Sequence, residues 1–566
     1  MLKLLLIQPP IQDFYDTDVR LQPIGLASLK ASVLKHLGDK IEVKIIDFHQ
    51  GWGRKTIAIP RELKYLRDYY PHHDKSPFCL FHAYYHFGAD FETLAEKVAL
   101  EKPNWVGISS LFSPYYREVL QCAQSIKEKI KTTILLGGSH VSACPELMLN
   151  NPHVDFILRG EGERPLVEFL KVAMRSEQAS SLSQDYGSQV PNLGYKLHGK
   201  IILNAMEANY PLSEIPPPDL SDLNPQNYRY EGKAMTMLVS SRSCPHRCSF
   251  CSVHQTFGYN YRRNNVKRVM DEIRNRYKQG YRVIDFEDDN LSFYQDEMKE
   301  LCQDLIREFP KQEMQFVAMN GISYLSLDNE ILSLMRKAGF THLNLALVSS
   351  DKTVRETTKR PHTIEKYLEV VHEAFRLGFK IVSYQILGLP NEKLESMLQT
   401  LAFAAGLPIL LGASPFYLTP NSPISKALRI SSNESDVFKA RLSAMAIEGE
   451  DFSRDELYTL FISTRIFNFI KSWKLDEPEI SLAEALESLN LNDIREKNGI
   501  KILKELFQNG ILLADTPQDF KPLKRFRYEV FARLCELTKT IATLEGKKVL
   551  LNEEIWAASK RVMLAS

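Results

Sequence analysis

Long unbroken apolar runs are missing from this sequence. The one uncharged stretch of tempting length, residues 401–418, is interrupted by Gly406-Leu407-Pro408, which divides it into a helix end and a strand suited to a buried core. The apolar start, residues 1–7, stops at Pro9-Pro10, too short for a signal-peptide core and without a cleavage site, so neither membrane nor export is expected. A charge excess is missing too. With 71 Lys and Arg against 70 Asp and Glu, there is no whole-chain reason to expect nucleic acid or an anionic membrane as partner. Cysteine is scarce, and five of the eight (Cys79, Cys122, Cys144, Cys302, Cys535) are scattered. They make no disulfide framework, and a reducing cytoplasm is the expected location. What remains, 44% hydrophobic and 25% charged over 566 residues, is the composition of a globular chain of about three domains at roughly 150 residues each.

The other three cysteines stand together. Cys244, Cys248 and Cys251 have the spacing C-x3-C-x2-C, just past an apolar run at 235–240. Thiolates so close converge on one soft metal centre. A closed zinc site takes four ligands, and no fourth cysteine follows nearby. His246 lies inside the loop, where the backbone is already bent around the centre. Three thiolates suit a [4Fe–4S] cluster with one iron left open. With Phe250 just before the last cysteine, the segment resembles the signature of the radical S-adenosylmethionine (SAM) superfamily. That resemblance implies the cluster on Cys244, Cys248 and Cys251, with SAM chelating the open iron.

Strand and helix alternate over residues 1–170. Strands are predicted at 3–8, 41–47, 105–110, 133–136 and 154–158, with helices at 23–37 and 116–130 among them. The fold class is therefore α/β, opening on a doubly wound parallel sheet that binds ligands beyond the carboxyl ends of its strands. Gly137-Gly138 and Gly160-Glu161-Gly162-Glu163 stand just past such ends, where glycine lets backbone approach a ligand; a Gly-Gly there is also an ordinary turn. Taken in order with Gln8-Pro9-Pro10 and Ser109-Ser110-Leu111, these segments resemble the cobalamin-binding domain that precedes many radical SAM cores. The resemblance implies cobalamin, its nucleotide tail held by Ser109, Ser110, Leu111, Gly137, Gly138 and Ser139, beside Gly160, Glu161, Gly162 and Glu163. One departure stands out: the D-x-H-x-x-G segment that gives cobalt a histidine should follow the first strand, and residues 8–21 contain none. Asp47-Phe48-His49-Gln50-Gly51 imitates it after the second strand, one residue short. His49 is read as an ordinary loop histidine, which leaves cobalt without a protein histidine. An insert at 50–91, rich in aromatic residues and histidine, reads as a packed lid with polar tips rather than a metal site.

Residues 171–232 read as a linker: 176–191 is poor in apolar residues, Pro216-Pro217-Pro218 is stiff, and a small hairpin fits 195–204. From 233 to 430 a strand–helix unit repeats six times, as in a partial (βα)6 barrel, whose chemistry sits at the carboxyl ends of its strands. Those ends present Glu287 and Asp288, then Asn344, Ser349 and Ser350, then Leu387 and Gly388. In the radical SAM resemblance, Glu287 and Asp288 accept from the SAM ammonium, although the usual glycines are missing there. Asn344, Ser349 and Ser350 hold the ribose, and Leu387 and Gly388 lie against adenine with Phe250 opposite. Loop carboxylates in water and helix-capping serines are the plainer readings. The tail, 431–566, is expected to be mostly helical and to cap the barrel mouth; its basic run at 521–527 reads as a solvated face.

The two resemblances together imply an enzyme that methylates an unactivated carbon. A 5′-deoxyadenosyl radical removes a hydrogen atom and methylcobalamin supplies the methyl. The substrate is a small molecule or peptide, and the electron comes from a low-potential donor such as flavodoxin or ferredoxin. Radical cyclisation or rearrangement with the same cofactors is the alternative. A non-enzymatic iron–sulfur and cobalamin sensor would need an output module, which only the tail offers. A methylthiotransferase is disfavoured, because the N-terminal half lacks a second cysteine triad.

Overall fold

The computed structural model describes residues 2–15, 22–175, 187–207, 209–428, 433–489, 491 and 493–551. Most of the stretch 176–191, the end of the loop 8–21 and the last part of the tail lie outside the described residues. Five parallel strands lie side by side in the order Ile41–Asp47, Leu2–Gln8, Trp105–Ser109, Thr133–Gly137, Phe156–Leu158. Alternation along the first strand shows how it is covered. Leu4 and Leu6 face helices Ile24–Leu37 and Glu163–Arg175, while Leu5 and Ile7 face Phe91–Glu101 and Tyr116–Lys129. Strand order reverses between Leu2–Gln8 and Trp105–Ser109, which opens a crevice beyond their carboxyl ends.

The stretch read as a linker does more than connect. Its hairpin, Leu193–Leu197 with Lys200–Leu203, pairs antiparallel with Phe156–Leu158 and completes a seven-stranded sheet. The apolar residues Leu193 and Tyr195 are buried there, which is why the segment joins the sheet.

Six parallel strands follow: Lys233–Leu238, Val283–Phe286, Gln315–Val317, His342–Val348, Lys380–Leu387 and Leu410–Leu411. The third and fourth touch through single parallel bridges, Phe316 to Phe340 and Ile322 to Leu345. The sixth, expected as one strand over 408–417, is broken: Leu410–Leu411 pairs with Val382–Ser383, and Ser414–Pro415 pairs with Ile386–Leu387 in the same register. Between them Gly412 lies against Tyr384, where a Cβ would come within 2.7 Å of the ring. Helix Arg454–Lys471 then covers the open edge. Asn468 accepts from Leu411 N–H at 2.9 Å and donates to its carbonyl at 2.8 Å, as a further strand would.

The insert 50–91 is not a water-tipped lid. Its strands Arg54–Ile57 and Tyr84–Phe87 form a small sheet with Ile11–Asp13, and its rings wedge against the C-terminal region. Tyr69 meets Tyr458 and Phe78 meets Phe469, with centroids 5.2 and 5.3 Å apart; Tyr70 donates to the Ser443 carbonyl at 2.8 Å. Only His72 and His73 of its histidines are exposed, and His86 is buried. The basic run 521–527 is largely solvated, with Lys521, Lys524 and Arg527 exposed, and its two arginines reach neighbouring carboxylates. Arg525 pairs with Asp68 at 2.8 Å, and Arg527 pairs with Asp455. Among the described residues, no helix is long and apolar enough to cross a membrane.

Candidate active site

Residues 243–261 leave and rejoin the barrel through a narrow neck, in which Ser241–Arg242 pairs antiparallel with Arg262–Arg263. All three clustered cysteines are in this loop. Its entry is tight: Ser243 is fully buried with φ +73°, a left-handed backbone that a side chain tolerates only where neighbours impose it. They do so here. Ser243 N–H donates to Asp289 Oδ2 at 3.1 Å, and its hydroxyl donates to the Gly258 carbonyl at 2.8 Å.

Two side chains reach the sulfurs. Asn290 Nδ2 lies 3.7 Å from Cys244 Sγ, and Arg360 Nη1 lies 3.6 Å from Cys248 Sγ. Burial, reinforced by the neighbouring thiols, raises the Cys244 pKa and pushes Cys251 up to about 12. Such thiols lose their protons when a metal takes their place on sulfur, and the Asn290 donor favours the thiolate form of Cys244. Among the described residues, no three His, Cys, Asp or Glu groups crowd one point as ligands of a single ion do. Three thiols on one loop, with donors to the sulfurs, fit a soft multi-metal cluster.

The predicted SAM contacts divide. Asp288 is corrected: buried, it accepts from Ser240 N–H at 3.1 Å and from the hydroxyls of Ser240 (2.6 Å) and Ser241. It anchors the approach to the cysteine loop and is not open to an ammonium. Glu287 is half-buried at the same strand end. Ser349 and Ser350 are corrected as well, since their hydroxyls converge on Thr400 Oγ1 at 3.1 and 3.2 Å. Val348, just before them, has φ +69° at a register shift, and that kink turns the two serines toward helix Leu394–Ala405. Asn344 Nδ2 bonds Tyr384 Oη at 2.7 Å. Phe250 and Ile386 pack in one apolar cluster with Val348, Leu389 and Phe416, and Leu387 is buried. Glu392, which sequence reasoning passed over, takes the N–H groups of Gly388 and Leu389 on one oxygen, both at 3.0 Å. Burial raises its pKa to about 8. Asn290 and Arg360 were passed over too. Asn290 sits in the same strand-end run as Glu287, which is a signal; Arg360 reaches Cys248 from a distant segment and gives none.

The largely apolar crevice at the sheet's reversal point holds about 310 Å³. Ser109, Leu111, Gly137, Gly138, Ser139, Gly160, Glu161, Gly162 and Glu163 line it, and buried Ser110 backs it. Gly138 is required: its φ is +125°, and a Cβ would lie 2.4 Å from the Ser110 carbonyl. Leu212, Ile215, Pro216 and Pro218, from the stretch read as a linker, close one side, and Arg242, Thr256 and Phe257 of the barrel close another. An apolar slot with a glycine cradle fits the nucleotide tail of cobalamin. Its three carboxylates are not free for a ligand, however, because arginines hold them all, Glu272 through Arg276 at 3.0 Å. Arg242 Nη1 and Arg262 Nη2 meet Glu161 Oε1 at 2.7 and 2.9 Å, and Arg242 also pairs with Glu163. His49 is buried, its backbone N–H donating to Asp47 Oδ1 at 2.8 Å and its ring against Phe87.

Residues 238–404 match the radical SAM superfamily, and residues 80–170 match the B12 binding domain family. An uncharacterised methyltransferase of Pyrococcus horikoshii is 27% identical over 56% of this chain and 68% of its own length. The cytidylyl-2-hydroxyethylphosphonate methyltransferase of Streptomyces wedmorensis is 25% identical over 70% of this chain and 75% of its own. The anaerobic magnesium-protoporphyrin IX monomethyl ester cyclase of Cereibacter sphaeroides is 25% identical over 65% and 60%. Among solved structures, the methyltransferase TsrM from Kitasatospora setae, with cobalamin and a [4Fe–4S] cluster, superposes with TM-score 0.56 at 15% identity over 77% of this chain and 84% of its own. OxsB, a cobalamin-dependent SAM radical enzyme, superposes with TM-score 0.59 at 13% identity over 100% and 81%.

Proposed function

Because the chain belongs with the cobalamin-binding radical SAM enzymes, we propose that it methylates an unactivated carbon of a small molecule or peptide. One observation carries this reading. The crevice for the cobalamin tail and the cysteine loop share a wall, since Arg242, Thr256 and Phe257 line the crevice at the neck and within the loop itself. Two cofactors held so close suit a reaction in which one activates a carbon and the other supplies a group to it. Similarity to two methyltransferases supports it.

When bound, the cluster, SAM and cobalamin supply a hydrogen-abstracting carbon radical and a methyl donor. The residues do the rest. Cys244, Cys248 and Cys251 would hold the cluster, with Asn290 and Arg360 donating to sulfur. Glu287 and Asn344 are the polar groups assigned to SAM, and Phe250, Leu387 and Gly388 would flank its adenine. Glu392 fixes the backbone N–H groups at Gly388 and Leu389, and the apolar cluster around Phe250 keeps water from the reacting carbon. Among the described residues, no histidine lines the crevice. A low-potential protein such as flavodoxin or ferredoxin would supply the electron.

A half-reaction tests this without the substrate. Holoenzyme given a strong reductant and SAM labelled in its methyl group should pass the label to bound cobalamin and release S-adenosylhomocysteine. Deoxyadenosine formed while cobalamin stays unlabelled would favour ring closure or rearrangement, the second reading, which similarity to the cyclase supports.

A further inference from the structure

The neck of the cysteine loop contains a conflict of charge. Arg242 and Arg262 are direct cross-strand partners in a two-stranded ribbon, and like charges placed so repel. Both are largely removed from water, with 14% and 13% of their side chains exposed. Nothing within the ribbon relieves the repulsion. The relief comes from the other domain: Glu161 Oε1 accepts from both arginines, at 2.7 and 2.9 Å, and Glu163 takes the second fork of Arg242.

Both carboxylates are buried. Glu163 is further fixed by the Ser28 hydroxyl at 2.9 Å and the Tyr210 hydroxyl at 3.1 Å. Arg262 keeps one additional bond, to the Tyr210 carbonyl at 2.7 Å. Glu161 and Glu163 belong to the strand-end loop that lines the cobalamin crevice, and Arg242 lines it as well.

We infer that Glu161, Glu163, Arg242 and Arg262 act as positioning residues that make closure of the cluster-bearing loop depend on the cobalamin-binding loop. The arginines oppose closure alone and permit it when the two carboxylates are in place. One loop therefore sets the other, and the two cofactors are held at one spacing. Arginine is needed because a lysine cannot bridge two carboxylates with a planar fork. The inference rests on the cofactor assignment, not on methyl transfer.

The charge logic predicts a rescue, which a merely structural contact would not give. Holoenzyme variants are compared by the rate at which a strong ferrous chelator strips iron, and by the EPR line shape of the reduced cluster. Glu161→Gln leaves two facing arginines with one carboxylate between them and should speed iron loss about fivefold or more, as coupled charged neighbours do. Glu161→Gln with Arg262→Gln removes the repulsion and should return the rate and line shape toward the wild type. Arg262→Gln alone should hold its cluster nearly as well as the wild type. Three results would overturn the proposal: Glu161→Gln losing iron no faster than the wild type, a double variant no better than Glu161→Gln, or Arg262→Gln as damaging as Glu161→Gln. Where Glu161→Gln cannot be loaded at all, the Arg262→Gln single variant and the double variant still decide. A chain that retained this rescue yet labelled no cobalamin would fail the methylation reading alone.

Discussion

A single carboxyl shows how a residue can tie two domains together. Glu163 is buried, yet Arg242 and its hydrogen bonds draw its pKa from 4.5 to about 2. A group depressed on folding stabilises the fold fully above its unfolded pKa and loses that contribution as pH falls through the folded one. Cofactor-free wild type should therefore melt above Glu163→Gln near neutral pH, and the margin should shrink between about pH 4.5 and about pH 2. A margin that stays constant down to pH 3 would show that charge on Glu163 does not hold this seam. Lys471 is the opposite case. Burial lowers its pKa to about 7, but the carbonyls of Ala405, Leu407 and Ala542 at 2.6–2.9 Å match the three protons of an ammonium.

Elements were legible in the sequence wherever periodicity and position agreed. The parallel strands of both sheets are short β-branched or leucine runs ending at polar or glycine residues. Their order alone places Gly137, Gly138 and the cysteines at carboxyl ends. What was not legible depends on an arriving neighbour. Asp288 is at a strand end like any ligand, but Ser240 and Ser241 reach it first. Ser349 and Ser350 turn away because Val348 kinks the strand and Thr400 waits behind it. The hairpin Leu193–Leu197 and Lys200–Leu203 joins a sheet that only the fold brings to it. The same holds at the barrel's open edge, where one asparagine stands in for a strand. Asn468→Leu should leave the Leu411 N–H and C=O unpaired and cost about 2 kcal/mol. Hydrogen exchange at Leu411 should quicken while exchange at Leu345, deep in the barrel, does not; equal exchange in both proteins would deny Asn468 this role.

Across the whole molecule the first and last thirds of the chain are pinned by buried charge. Arg441 pairs with Asp13 at 3.1 Å, with 2% and 1% of the two side chains exposed. Tyr115 and Ser443 donate to the same carboxylate, at 2.8 and 3.1 Å, and Arg441 also donates to the carbonyls of Gln12 and Pro114. Removing one partner of such a pair strands the other in the interior. Arg441→Met should lower the unfolding free energy by about 3–5 kcal/mol, measured with denaturant, whereas removing the exposed Lys352–Glu356 pair should change it by less than about 1 kcal/mol.

That pin has a consequence for how the protein is made. Asp13 ends the short strand Ile11–Asp13 that follows the first, and its counter-charge is encoded more than four hundred positions later. A ribosome that has finished the N-terminal sheet still holds back the arginine that lets the segment after the first strand settle. The sheet can form early from its own leucines, but the segment around Asp13 waits for its counter-charge until Arg441 has emerged and folded back. A chain cut short before Arg441 would therefore carry its parallel sheet with the Asp13 carboxylate stripped of its counter-charge.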